Sequence, residues 1–188
     1  MARRREQWRR YQDRIYPRRL VFIDETWVKT NMAPLRGWGD RGARLIAHAP
    51  AGHWKTMTFL AALRHDRVDA PWVINGPING EIFRAYVQTQ LLMTLKQGDI
   101  VVVDNLGSHK GGEVRRMIRA VGARIFFLPA YSPDLNPIEQ LFSKIKQHMR
   151  AAMARSLDAV HDAVANALDA VTPAECSNYI RNSGYAAT

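Results

Sequence analysis

The sequence has one cysteine, few histidines and no long apolar run, and each shortage removes a class of function. Cys176 alone permits neither a disulfide framework nor a cysteine-based zinc site. The six histidines show no His-Glu-x-x-His and no other paired-ligand spacing. No stretch approaches the roughly 18 apolar residues that a membrane helix needs, and the basic start leads into no signal-peptide core. The expected location is therefore the cytoplasm, with no membrane partner. Acidic residues are also scarce: 17 Asp and Glu face 27 Lys and Arg, a formal charge of +10. That excess gives salt-sensitive, sequence-independent attraction to phosphate and points to a nucleic acid. With 47% hydrophobic residues over 188 positions, the chain can build the core of one globular domain.

What is present is a pattern in the few acids. Leu20-Val21-Phe22-Ile23-Asp24 is an apolar strand running into a carboxylate, and Ile100-Val101-Val102-Val103-Asp104 is another. Ser132-Pro133-Asp134-Leu135-Asn136-Pro137-Ile138-Glu139 is a turn that opens a helix, with Glu139 in the first turn. Asp104 lies 80 positions after Asp24, and Glu139 lies 35 after Asp104. A lone Asp after a strand is ordinarily a turn residue or helix cap. Glu139 also fits a capping box, with Asn136 as N-cap and Pro137 in the first helical position. Two strand-end aspartates and a helical glutamate can nevertheless converge on a pair of hard divalent cations, the arrangement that clamps both reacting oxygens of a phosphodiester. Glu25 falls on the opposite strand face from Asp24 and is left out of that set.

The wording around these acids resembles the catalytic domain of bacterial insertion-sequence transposases of the mariner-related DDE superfamily. The resemblance rests on Phe22-Ile23-Asp24-Glu25-Thr26-Trp27, on Gly76-Pro77-Ile78-Asn79-Gly80, on the run from Gly98 to Lys110 and on that from Leu128 to Glu139, and it spans roughly residues 8–185. Asn75 departs from the acidic residue expected before Gly76-Pro77, and Ala130 stands where a second proline is common. The resemblance implies that Asp24, Asp104 and Glu139 are the catalytic, metal-binding triad, holding two Mg2+ or Mn2+ ions. It implies double-stranded DNA as the partner, both transposon ends and target, with a homo-oligomer assembled on the DNA in the nucleoid. It also implies a helix-turn-helix half supplied from upstream. The rival readings are a non-catalytic DNA-binding remnant or regulator, and a stand-alone ribonuclease H-like nuclease.

Along the chain, residues 1–19 carry eight arginines between Trp8, Tyr11 and Tyr16, and read as a basic arm or linker. Strands are expected at 20–28, 44–49, 56–63, 100–103 and 124–128. A helix capped by Asn79 presents Ile82, Phe83, Tyr86, Val87, Leu91 and Leu95, and another spans about 112–120 up to Gly122. The Glu139 helix should run over 137–154 with Ile138, Leu141, Phe142, Ile145 and Met149 as its core stripe. A further helix follows, and Thr172-Pro173-Ala174-Glu175 spells the start of a last one. Residues 20–155 are thus expected to form a ribonuclease H-like α/β domain, a mixed five-stranded sheet flanked by helices, with 156–188 packed on it. The candidate DNA contacts are Arg3, Arg4, Arg5, Arg9 and Arg10 in the arm, His109 and Lys110 after Asp104, and Lys146 beside Glu139. Trp27, Trp38, Trp54 and Trp72 are read as core or loop packing rather than base-stacking platforms.

Overall fold

Alternating apolar side chains make residues 20–29 the centre of a two-faced sheet. Leu20, Phe22 and Val28 enter one core, while Val21 and Ile23 enter the other. In the computed structural model, which describes residues 2–12, 14–46, 50, 52–105, 109 and 111–185, this segment is strand β1 (Leu20–Lys29). It is flanked by antiparallel β2 (Thr56–Leu63) on one side. Beyond β2 lies β3 (Val68–Asn75), also antiparallel. On the other side of β1 stands parallel β4 (Ile100–Val103), followed by parallel β5 (Arg124–Phe127). The order β3-β2-β1-β4-β5 is the mixed five-stranded sheet expected from the sequence. Its central parallel strand β4 reads Ile-Val-Val-Val because both faces are covered.

One strand is not the expected one. Arg44 to Ile46 are exposed and irregular, and the rest of the expected 44–49 strand lies outside the described residues. The fifth strand is β3 instead. Its Pro71 would break a central strand, but here it sits on the sheet edge, beside Ala70 at φ 50. Between the pairs Leu60–Trp72 and Ala62–Asp69 the register slips, a bulge that absorbs the proline.

Helices cover both faces. Helix α1 (Ala2–Gln12) lies outside the sheet proper. Helix α2 (Gly80–Tyr86) begins at Asn79, whose side chain accepts from Ile82 N–H, and continues through a π-turn at Val87–Leu91. With α3 (Gly112–Ala120) it fills one face through Phe83, Tyr86, Val114 and Ile118. The other face receives α4 (Ile138–Ala152), α5 (Leu157–Asp169) and α6 (Pro173–Asn182). Ile138, Leu141, Phe142, Ile145 and Met149 of α4 are buried there, as are Val160, Val164, Cys176 and Ile180 from the last two helices. Each such apolar side chain contributes about 1.5–3 kcal/mol of transfer free energy. The Thr172–Glu175 capping box forms as spelled. Among the described residues no helix is long and apolar enough to cross a membrane.

The arginine-rich start is docked. Trp8 Nε1 donates to Tyr185 Oη at 3.0 Å, and Tyr185 donates on to Leu135 O at 2.7 Å. Gln12 Nε2 donates to Gly184 O at 2.9 Å. Arg5 forks onto both carboxylate oxygens of Asp134 at 2.9 and 2.8 Å, and Arg9 reaches the same group at 3.1 Å. Helix α1 therefore grips both the chain's last described residues and the loop that leads into α4.

Candidate active site

Parallel pairing decides where the two aspartates go. Ile23 is the partner of Val103, so Asp24, in the middle of β1 rather than at the strand end expected, stands beside Asp104 just past the end of β4. Neighbouring strands lie about 4.8 Å apart, close enough for both carboxyls to reach one centre. Asp24 shares the face of Phe22, on which α4 packs, and the segment before α4 closes over it. Asp24, Asp104, Asn136 and Glu139 line one cleft of about 340 Å3, walled by Leu128, Pro129, Ala130, Tyr131, Ser132 and Pro133.

The cleft is charged and unevenly solvated, with Glu139 exposed and Asp104 partly exposed. Asp24 is only 7% exposed. Its Oδ1 accepts from Glu25 N–H at 2.8 Å and its Oδ2 from Asn136 Nδ2 at 2.7 Å. Burial pushes its carboxyl up to about 8, helped by the negative charges of Glu25, Asp104 and Glu139 and opposed by the Glu25 N–H bond. Asn136 was expected to cap the helix. Its side chain is spent on Asp24 instead, so α4 starts at Pro137 with no side-chain cap. Asn136 Oδ1 is buried without a hydrogen-bond partner among the described residues.

His109 is the largest departure from expectation. Read from the sequence as a phosphate contact, it is fully buried, and no DNA backbone could reach it in this conformation. Its Nδ1 lies 2.6 Å from Asp104 Oδ1 and its Nε2 lies 3.0 Å from Glu25 Oε2. The ring packs on Phe83 with centroids 4.2 Å apart. Burial alone would push the imidazolium down, but hydrogen bonds and charge from Asp104 and Glu25 hold it up at about 9. Glu25, set aside because it points away from Asp24, thus reaches the second aspartate through the histidine. Neither Glu25 nor Asn136 could have been found by spacing, since their partners lie 84 and 112 positions away.

The remaining expected contacts fall in three groups. Lys146 stands beside Glu139, and its Nζ lies 4.4 Å from the Trp27 ring centroid, with Lys29 Nζ at 4.7 Å from the same ring. Burial lowers the Lys146 ammonium, against the charge of Glu139. Trp27 is 46% exposed, and Trp38 and Trp54 are also exposed, so of the four tryptophans only Trp72, stacked on Tyr86, is packed as expected. In the arm, Arg3 and Arg4 are exposed, while Arg5 and Arg9 pair with Asp134 and Arg10 pairs with Glu6 at 2.7 Å. Lys110 lies outside the described residues.

A ribonuclease H-like sheet whose two neighbouring parallel strands and covering helix turn three acids into one cleft has the architecture of metal-dependent nucleases and strand transferases. The chain belongs to the DDE superfamily endonuclease family, whose sequence profile matches residues 19–161. It is similar to the transposable element Tc1 transposase of Caenorhabditis elegans, 27% identical over an alignment of 116 residues, with 56% of this chain and 42% of that protein covered. The mariner Mos1 paired-end complex with Mg shares the fold at a TM-score of 0.78 and 20% identity, covering 97% of this chain and 58% of that one. The Mos1 strand transfer complex gives 0.75 and 19%, over 98% and 59%. The isolated catalytic domain of Mos1 mariner transposase gives 0.68 and 16%, with 98% and 90% covered. The chain thus spans less than two thirds of the Tc1 protein and of the Mos1 chains in those complexes, but nearly all of the catalytic domain.

Proposed function

We propose that this chain is the catalytic part of an insertion-sequence transposase, which cuts DNA at transposon ends and joins the freed 3′-hydroxyl to target DNA. One observation carries the reading: Asp24, Asp104 and Glu139 line a single cleft on a ribonuclease H-like sheet. Family membership and the likeness to the Mos1 catalytic domain support it.

The donor set suits two Mg2+ or Mn2+ ions. Among the described residues no three His, Cys, Asp or Glu side chains could hold one ion by themselves. Carboxylates shared in pairs are enough, because hard six-coordinate ions take their remaining ligands from water and phosphate oxygens. Asp24, Asp104 and Glu139 would together hold the two ions. When bound, the ions would lower the pKa of the attacking water or hydroxyl and neutralise charge at phosphorus.

The chain's own residues set the geometry. Asn136 and the Glu25 N–H fix the Asp24 oxygens, so that carboxyl does not rotate. Glu25 holds His109, and His109 holds Asp104, leaving Phe83 to fix the ring plane. Lys29 and Lys146, gathered on Trp27 beside Glu139, are placed to meet DNA phosphates, as are Arg3, Arg4, Arg9 and Arg10 along α1. The protein acts in the cytoplasm on nucleoid DNA, as a homo-oligomer, with a helix-turn-helix half of the same transposase as its partner in reading sequence.

The test is nicking of supercoiled plasmid with Mg2+ or Mn2+. Asp24→Asn, Asp104→Asn and Glu139→Gln should each abolish cleavage while circular dichroism stays unchanged, since the amides keep shape and lose the charge that cations need. Full activity in any one variant removes that residue from the site. A wild-type chain that binds DNA but never cleaves it favours the non-catalytic reading.

A further inference from the structure

Three non-glycine residues among those described have positive φ, and two have a local reason. Ala70 makes the β3 bulge, and Met153 ends α4 in the left-handed C-terminal position. The third is Tyr131, at φ 55, in the loop between β5 and α4. A left-handed backbone disfavours side chains with a Cβ, and turns that need it ordinarily take Gly or Asn. A bulky aromatic kept there works against the turn's own preference. Its side chain does not offset this by burial: Tyr131 is 84% exposed, although it forms part of the wall of the acidic cleft. The conformation is held from outside, because Arg5 Nη1 donates to Tyr131 O at 3.2 Å while the same guanidinium grips Asp134. A strained, braced and solvent-facing ring at the mouth of a reactive cleft is placed for something that arrives from solvent.

We infer that Tyr131 is a substrate-contact residue whose ring stacks on an unpaired nucleobase next to the phosphate held in the cleft. The inference rests on the DNA reading above and deepens it, by assigning the cleft mouth to a base rather than to another phosphate. The chemistry favours a base: the phenol carries no positive charge, and every nucleobase offers a π-face to an aromatic ring whatever its identity. Tyr131 therefore tolerates any sequence and selects for a strand that is opened or ended at the cleft. The lysines around Trp27 account for charge neutralisation on the Glu139 side.

The experiment uses the full chain without divalent metal and a forked DNA duplex with 2-aminopurine in the unpaired strand. Affinity, 2-aminopurine quenching and the thermal midpoint are measured for wild type, Tyr131→Phe, Tyr131→Ala and Tyr131→Gly. Lys96→Ala, at the far end of β4, serves as the control. Phe should behave as wild type, because it keeps the ring. Ala and Gly should lose affinity for the forked duplex on the order of tenfold, together with the quenching. The Gly variant should melt above the Ala variant, since it accepts the left-handed backbone without strain. Weak binding in a well-folded Gly variant marks a residue kept for contact rather than for the turn. Unchanged affinity and quenching in Ala and Gly, with wild type bound and quenched, overturns the inference and leaves the DNA reading standing. A wild-type chain that binds no DNA overturns both.

Discussion

At the scale of single residues, the site is a set of acids kept in place by hydrogen bonds from Asn136, the Glu25 N–H and His109. The Asp24 carboxyl stands at about 8 in the fold against an ordinary 3.8, so between those values the folded chain keeps a proton that the unfolded chain has lost. The stability contributed by that proton is complete below 3.8 and is lost as pH rises through about 8. Urea unfolding without divalent metal, followed from about pH 5 to pH 8, should therefore show a decline in wild type that is shallower in Asp24→Asn. Equal slopes would mean that Asp24 is ionised in the fold. His109 gives a second expectation. Because its ring is buried between Asp104 and Glu25, His109→Ala should slow single-turnover cleavage and leave DNA affinity unchanged. Weakened binding with normal cleavage would return it to the phosphate-contact role expected from the sequence. That three acids meet in one cleft was legible, since an aspartate after an apolar run and a helix-opening glutamate are local patterns, although Asp24 stands inside β1 rather than at its end. The groups that orient them were not, because Asn136 meets Asp24, and His109 meets Glu25, only once the chain is folded.

At the scale of elements, the same division holds. Helices α2, α3 and α4 and strands β1, β2, β4 and β5 each announce themselves by periodicity, capping residues or β-branched runs. Strand β3 was hidden because Pro71 and the left-handed Ala70 argue against a strand unless the edge position and bulge are known. Residues 44–46 have the apolar look of a strand but no neighbour to pair with. Helix α1 reads as a solvated basic arm, yet Trp8, Gln12, Arg5 and Arg9 dock it. The docking turns on Tyr185, whose buried hydroxyl links Trp8 to Leu135 O while its ring meets Phe22 at 4.8 Å. Tyr185→Phe leaves the Leu135 carbonyl without its donor and should cost about 1–3 kcal/mol. It should also loosen α1, read as faster tryptic cleavage at Arg3, Arg4, Arg5, Arg9 and Arg10 in a chain whose circular dichroism is otherwise native. Unchanged stability and protection would show that apolar packing of Trp8 suffices.

At the scale of the whole molecule, one domain brings together an acidic cleft and a strongly basic surface. The positive charge outside the cleft includes the five arginines of α1 and the two lysines at Trp27. The cleft itself concentrates the negative charge of Asp24, Asp104 and Glu139, an imbalance that adds to burial in raising the Asp24 carboxyl. Divalent cations should relieve that imbalance and so stabilise the fold, by RT ln(1 + [L]/Kd) for each site. The direct test is a thermal melt near pH 8 with and without millimolar Mn2+, on wild type, Asp24→Asn and Asp104→Asn. Wild type should melt higher with Mn2+, and both variants should lose most of that shift. An identical shift in all three would place the ions elsewhere and contradict a metal site built on these carboxylates.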